Sequence, residues 1–243
     1  MSDIIINIKD KTYRNHGQQH QAIGQFQMQI PRNQFVCLVG PSGCGKTSLL
    51  NIIAGLDSEF HGEITLNQQR ADAHSAYVFQ NPRLLPWLTV RQNIELVFDQ
   101  PPAELIDVLL LDMQLDNMQQ VYPERLSLGM QRRVAIIRAF ATNPDLLLMD
   151  EPFVSLDAPS ARQIRQSLYQ LWQHKPHTVL FVSHDLREAI ALADRLVFLS
   201  KAPMQIVADI KVDIDRDLRQ SETAIERFRE QLLQQHRLIR ELL

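Results

Sequence analysis

Apolar residues alternate with polar ones at Ile4, Ile6 and Ile8, and again at Phe26, Met28 and Ile30. This period of two predicts short antiparallel strands, joined by the polar stretch NHGQQHQ, and a small sheet at the start of the chain. The pattern then changes. Phe35–Val39 is continuously apolar, as are 76–79, 146–149, Thr178–Val182 and 196–199, which suits central parallel strands covered on both faces. A helix is predicted over 46–54, with Gly55 able to cap it in a left-handed conformation. Between Gln80 and Pro144 the period turns helical, over 90–99, 102–112 and 127–142. We read this as a helical subdomain, approximately 81–143, inserted into an α/β core. The tail, 221–243, predicts a C-terminal helix: Thr223 and Glu226 have capping-box spacing, and Ile225, Phe228, Leu232, Ile239 and Leu242 fall near one helical face. That stripe suits packing on its own domain or, alternatively, a dimer contact.

The sharpest local chemistry is GPSGCGKT at 40–47, set between a predicted strand and a predicted helix. Gly40, Gly43 and Gly45 let consecutive backbone N–H groups turn inward around phosphate oxygens, with Pro41, Ser42 and Cys44 completing the loop. The following helix points its positive end at the same anion. Lys46 can reach the β- and γ-phosphates, Thr47 can offer its hydroxyl to Mg²⁺, and Ser42 and Ser48 add hydrogen bonds. A glycine-rich turn with a chance Lys-Thr would lack this strand–loop–helix order. The fold class is therefore α/β: a P-loop NTPase core with an N-terminal antiparallel β subdomain and an inserted helical subdomain, in one domain over 1–243.

The apolar run at 146–149 delivers Asp150 to a strand end, where ligands collect in open α/β sheets. Asp150 is positioned to hold Mg²⁺, and Glu151 to orient or deprotonate an attacking water. His184 follows the strand TVLFV, so a γ-phosphate contact is geometrically sensible. A lone histidine is more often a capping or packing residue, and the accompanying motifs raise its functional reading. Gln80, after AYVF, also reaches the strand ends, where it can meet Mg²⁺ or the attacking water or serve as a plain loop glutamine.

Composition narrows the setting. The 243 residues are 45% apolar, with 25 Lys and Arg against 28 Asp and Glu, so there is ample core and no broad basic footprint for nucleic acid. Cys37 and Cys44 fall on a buried strand and in the phosphate loop, which favours a reducing, cytoplasmic compartment. No signal-type start or membrane-length apolar run occurs. Any membrane-spanning part is expected from other chains.

In order, GPSGCGKT, Gln80, LSLGM, LLLMDEP, SLD and His184 resemble the ATP-binding subunits of ABC transporters over essentially the whole chain. The resemblance implies an ATPase using ATP and Mg²⁺, in which two such subunits pair head to tail. Ser127, Gly129 and Met130 would then address the γ-phosphate held by the partner, and Ser155, Leu156 and Asp157 would line the seam. Tyr13 is similar to the family's adenine-stacking aromatic, with His16, His20 and Phe26 as neighbouring candidates. The helical run after Ser127 supports anion binding at its start, although Ser127 can equally serve as a plain helix cap. LSLGM departs from the usual LSGGQ: Leu128 replaces a glycine and Met130 a glutamine. If position 128 needed a left-handed backbone, leucine would cost about 1–2 kcal/mol.

NPRLLPWLTVRQNI and MDEPFVSLD resemble importers of the nitrate, sulfonate and taurine type. Leu84, Leu85, Trp87 and Leu88 would form a groove for a permease segment or, alternatively, subdomain core. The implied assembly is a homodimer of ATP-binding subunits with transmembrane permease subunits and a solute-binding protein, with this chain on the cytoplasmic face of the membrane. ATP-driven closure and post-hydrolysis opening would power alternating access. Lipid-handling or exporting assemblies are the alternative. Nucleic-acid-directed relatives fit less well, because the interval from Gln80 to Leu126 has no room for a long coiled coil.

Overall fold

The computed structural model describes residues 4–15, 18–66, 69–70 and 75–242. The first strand, β1 (Ile4–Asn15), is long because its two halves serve different partners. Its first half pairs antiparallel with β3 (Phe26–Ile30) on one side and β5 (His61–Leu66) on the other; its second half pairs with β2 (Gln18–Ile23), after a register shift at Lys11/Thr12. Most of NHGQQHQ is therefore strand rather than connection. The sequence mislabels it because both faces of a two-stranded ribbon can remain wet, leaving no apolar alternation to detect. β6 (Gln69–Arg70) completes this sheet beside β5.

A second sheet carries the site. β4 (Phe35–Val39), β7 (Ser75–Val78), β8 (Leu146–Asp150), β9 (Thr178–Val182) and β10 (Arg195–Leu199) run parallel, and β11 (Ile206–Lys211) adds an antiparallel edge. The spatial order is β11-β10-β4-β9-β8-β7. Every residue of β4, β8 and β9 is buried, because each strand is covered on both faces. Val36 and Leu38 face α1 (Lys46–Ile53) and the antiparallel sheet; Cys37 and Val39 face the helical side. Both cysteines are free and buried.

That helical side contains α2 (Val90–Glu95), α3 (Ala103–Asp112), α4 (Leu128–Ala141), α5 (Ala158–His174) and α6 (Leu186–Leu192). The first is shorter than its apolar pattern suggests. Thr89 and Gln92 form a capping box at its start, and the buried Asn93 side chain bonds to the backbone of Leu85, Leu88 and Thr89. Asn93 thereby gives the proline-broken loop a fixed shape, on which Leu84 packs toward the core while Trp87 is 69% exposed.

The tail is two helices, α7 (Glu222–Gln235) and α8 (Arg237–Leu242), divided at His236. Its N-cap is Ser221, whose hydroxyl accepts from Ala224 N, and not Thr223. Glu226 instead pairs with Arg187 and Arg229. Ile225, Leu232 and Ile239 are buried in the chain's own core.

Candidate functional site

The carboxyl ends of β4, β7, β8 and β9 converge on one edge of the parallel sheet. β4 runs into the glycine-rich loop, which must turn sharply before α1 begins. Gly43 and Gly45 supply that turn with φ of +75° and +109°, values that L side chains rarely adopt. At Gly45 a Cβ would also come within 3.1 Å of Ala22 O. The loop opens onto a cleft of about 230 Å³ lined by Ser42, Gly43, Gly45, Lys46, Thr47, Ser48 and Glu151. Backbone N–H groups, a helix start and a lysine suit this concavity to a polyphosphate.

Lys46 is buried, and its ammonium donates to the carbonyls of Gly40 and Pro41, each at 2.8 Å, which holds it inside the loop. Cys44 Sγ lies 3.9 Å from that ammonium. Burial raises the Cys44 thiol pKa, and the Lys46 charge offsets part of the rise. Cys44 is thus a neutral packing residue of the loop.

Thr47 Oγ1 donates to Asp150 Oδ2 at 2.9 Å, joining the loop to the end of β8. Burial pushes the Asp150 carboxyl up from its ordinary range, with the Thr47 bond acting in the opposite direction. A largely buried carboxylate beside a hydroxyl is a hard-oxygen donor pair that fits Mg²⁺, which typically combines a few protein oxygens with phosphate and water. Among the described residues no cluster of three His, Cys, Asp or Glu forms a closed metal cage.

Glu151 is held in a left-handed backbone conformation, φ +45°. Its N–H donates to Val182 O at 3.1 Å, and its carbonyl accepts from Val154 N at 3.2 Å and from Arg132 Nη1 at 2.9 Å. The side chain reaches the cleft, where Oε2 lies 3.3 Å from His184 Nδ1. Gln80 stands exposed after β7, at the same sheet edge, and does not line the cleft.

Tyr13 lies on the antiparallel sheet, opposite His20, and its hydroxyl donates to Asp57 Oδ2 at 3.1 Å and is hydrogen-bonded to the Ser48 hydroxyl at 3.0 Å. Buried Lys11 reinforces this placement: its ammonium binds Asp57 at 2.7 Å and sits 4.4 Å from the Tyr13 ring centre. Neither Lys11 nor Asp57 has a sequence signature, because their pairing spans two subdomains. His16 lies outside the described residues; Phe26 is fully buried in the core.

Ser127, Gly129 and Met130 are not brought to this cleft. They open α4, with Ser127 as its N-cap accepting from Met130 N at 3.2 Å. Leu128 and Gly129 are both helical, without positive φ, so the expected cost of leucine at position 128 does not arise. Leu128 is 38% exposed, leaving the helix start open to a partner. Asp157 caps α5 by accepting from Ser160 N at 3.1 Å, a bond that lowers its carboxyl pKa.

A family model described as ABC transporter matches residues 23–154. The aliphatic sulfonates import ATP-binding protein SsuB of Bacillus subtilis (strain 168) is 38% identical over 209 residues, covering 84% of this chain and 82% of that protein. The bicarbonate transport ATP-binding protein CmpC of Synechococcus elongatus is 38% identical over 222 residues, covering 86% of this chain but 34% of that longer protein. Among solved structures, a dimeric post-hydrolysis state of the ATP-binding cassette MJ0796 bound to ADP and Pi superposes with a TM-score of 0.77. It shares 28% identity and covers 87% of this chain and 100% of its own.

Proposed function

The chain belongs to the ABC transporter family of ATP-binding proteins, and from that premise we propose how its site drives an importer. It is the ATP-hydrolysing motor subunit, and its cargo is a small solute of the sulfonate, nitrate or taurine type. The observation that carries the catalytic reading is the convergence of Lys46, Thr47, Asp150, Glu151 and His184 on one sheet edge.

The loop N–H groups and Lys46 bind the β- and γ-phosphates. Thr47 and Asp150 would hold Mg²⁺, which would supply charge neutralisation at the phosphates. Glu151 accepts a proton from the attacking water as its oxygen bonds to the γ-phosphorus and the bond to the β,γ-bridging oxygen breaks, releasing ADP and phosphate; His184 steadies the Glu151 carboxylate and faces the γ-phosphate. Gln80, exposed at the same sheet edge after β7, would turn toward the metal and the water when nucleotide fills the cleft. Tyr13 stacks on the adenine, and its hydroxyl bond to Ser48 keeps the ring beside the loop.

Ser127, Gly129 and Met130 start a helix away from their own cleft, an arrangement that favours use on a partner's ATP. Two copies pair head to tail, with Asp157 at the seam, so ATP contributes directly to closure. Among the described residues no helix is long and apolar enough to cross a membrane. Permease subunits supply that part, docking near exposed Trp87 on the cytoplasmic face, and a solute-binding protein delivers the cargo.

Extraction from the native membrane in mild detergent tests the assembly. Recovery with an importer permease and ATPase stimulation by a sulfonate-loaded binding protein is expected; recovery with an exporter or lipid-handling chain overturns the reading.

A further inference from the structure

The unexpected link at the site is Arg132. It is only 5% exposed, yet it carries a charge into the space between α4 and the catalytic sheet edge. Its Nη1 grips the carbonyl of Glu151, while its Nε is buried with no hydrogen-bond partner. A buried donor left without a partner is destabilising, because it has given up its hydrogen bonds to water. That cost makes a purely stabilising role a poor explanation for the side chain.

Glu151 needs external restraint. Its left-handed backbone is a conformation that a non-glycine residue holds only when its surroundings impose it. Val182, Val154 and Arg132 provide those surroundings, but only Arg132 reaches Glu151 from the helix that Ser127 begins. Arg132 lies five positions after Ser127, so roughly 7.5 Å of rigid helix separates the N-cap from the grip on Glu151.

A second charged group, half-buried, lies close enough to act on Arg132. Glu188, on α6, accepts from Ser183 Oγ at 2.9 Å and lies 3.6 Å from Arg165 Nη1 of α5. Burial lowers the Arg132 pKa, while the negative charges of Glu188 and Glu151 act in the opposite direction. Glu188 thus links the loop carrying His184 to the same charged cluster.

We propose that Arg132 is a positioning residue for ATP hydrolysis: it fixes the backbone of Glu151 and ties its placement to the helix that meets the partner's ATP. This rests on the reading of Glu151 as the base. Engagement of a phosphate at Ser127 is thereby felt at the base of the same subunit. The two active sites of a head-to-tail pair are coupled through this side chain as well as through the nucleotides.

The test uses the full chain and its Arg132→Gln, Arg132→Lys, Glu151→Gln and Arg132→Gln/Glu188→Gln variants, measuring ATP affinity, kcat and thermal midpoint. Arg132→Gln should leave ATP affinity unchanged and lower kcat by about 100-fold, the scale of a misplaced catalytic group. Arg132→Lys should recover part of the rate by retaining charge and a donor. The double variant, which also removes the Glu188 charge, should remain slow. Wild-type kcat in folded Arg132→Gln, or in the double variant, overturns the inference; the latter makes Arg132 merely a counter-charge for Glu188. If Arg132→Gln does not fold, the double variant decides alone. Hydrolysis at the wild-type rate in Glu151→Gln removes the base reading itself, whereas an inactive Glu151→Gln beside a fully active Arg132→Gln removes only the positioning role.

Discussion

Thr47 Oγ1 donates to Asp150 Oδ2 across 2.9 Å, joining residues more than a hundred positions apart at the junction of the phosphate loop and the central sheet. A metal held here would draw one oxygen donor from the loop, Thr47, and one from the sheet, Asp150. Asp150→Asn should retain ATP binding without Mg²⁺ but lower Mg²⁺-dependent hydrolysis by roughly 100-fold or more, equivalent to several kcal/mol. Binding and hydrolysis titrations with and without Mg²⁺ check both parts. An unchanged Mg²⁺ dependence contradicts the assigned metal site.

The start of α4 gives a cleaner mutational test than its sequence suggests. Around Gly129 the nearest atom to an added Cβ is Leu156 Cδ2 at 3.8 Å, and the backbone is helical. Gly129→Ala should therefore leave the monomer's thermal midpoint unchanged or raise it, since alanine favours a helix by up to about 1 kcal/mol over glycine. A fall in ATP-dependent dimerisation is expected, because the new methyl occupies the proposed seam. Leu128→Gly should leave or increase dimerisation and hydrolysis. Normal dimerisation of Gly129→Ala, or loss of activity in Leu128→Gly, contradicts this view of the helix start.

These residues show what could be read from the chain. The phosphate loop was legible because its chemistry is contiguous: three glycines, a lysine and a threonine fall within eight positions. Phe26, Met28 and Ile30 were legible because period-two alternation records a half-buried strand, seen as strict in-and-out burial. β11 was missed because it is a partly exposed edge with a weak apolar signal. Arg132 was missed because an arginine after a helix start reads as surface charge, and its contact with Glu151 is created only by tertiary packing. The same is true of Lys11 and Asp57, and of the left-handed backbone at Glu151.

A pH effect on stability arises far from the cleft. His177 is buried against Phe140, with ring centres 4.7 Å apart, and desolvation lowers its pKa from 6.5 to about 4. The unfolded chain therefore binds this proton more readily than the folded chain. Stability from this group is fully present above about pH 6.5 and is lost as pH falls toward 4, by roughly 3 kcal/mol at most. Denaturant midpoints from pH 7.5 to 4.5 should fall more steeply for the wild type than for His177→Phe. Parallel pH profiles would assign the acid sensitivity to other groups.

Glu151, just beyond β8 and 3.3 Å from His184, is the proposed catalytic base of an ATP-driven motor. The most direct measurement is steady-state hydrolysis and ATP binding for the wild type and Glu151→Gln, at saturating Mg²⁺. Glu151→Gln should bind ATP with unchanged affinity, accumulate as an ATP-bound dimer and nearly cease to turn over. Hydrolysis by Glu151→Gln at the wild-type rate would contradict that role.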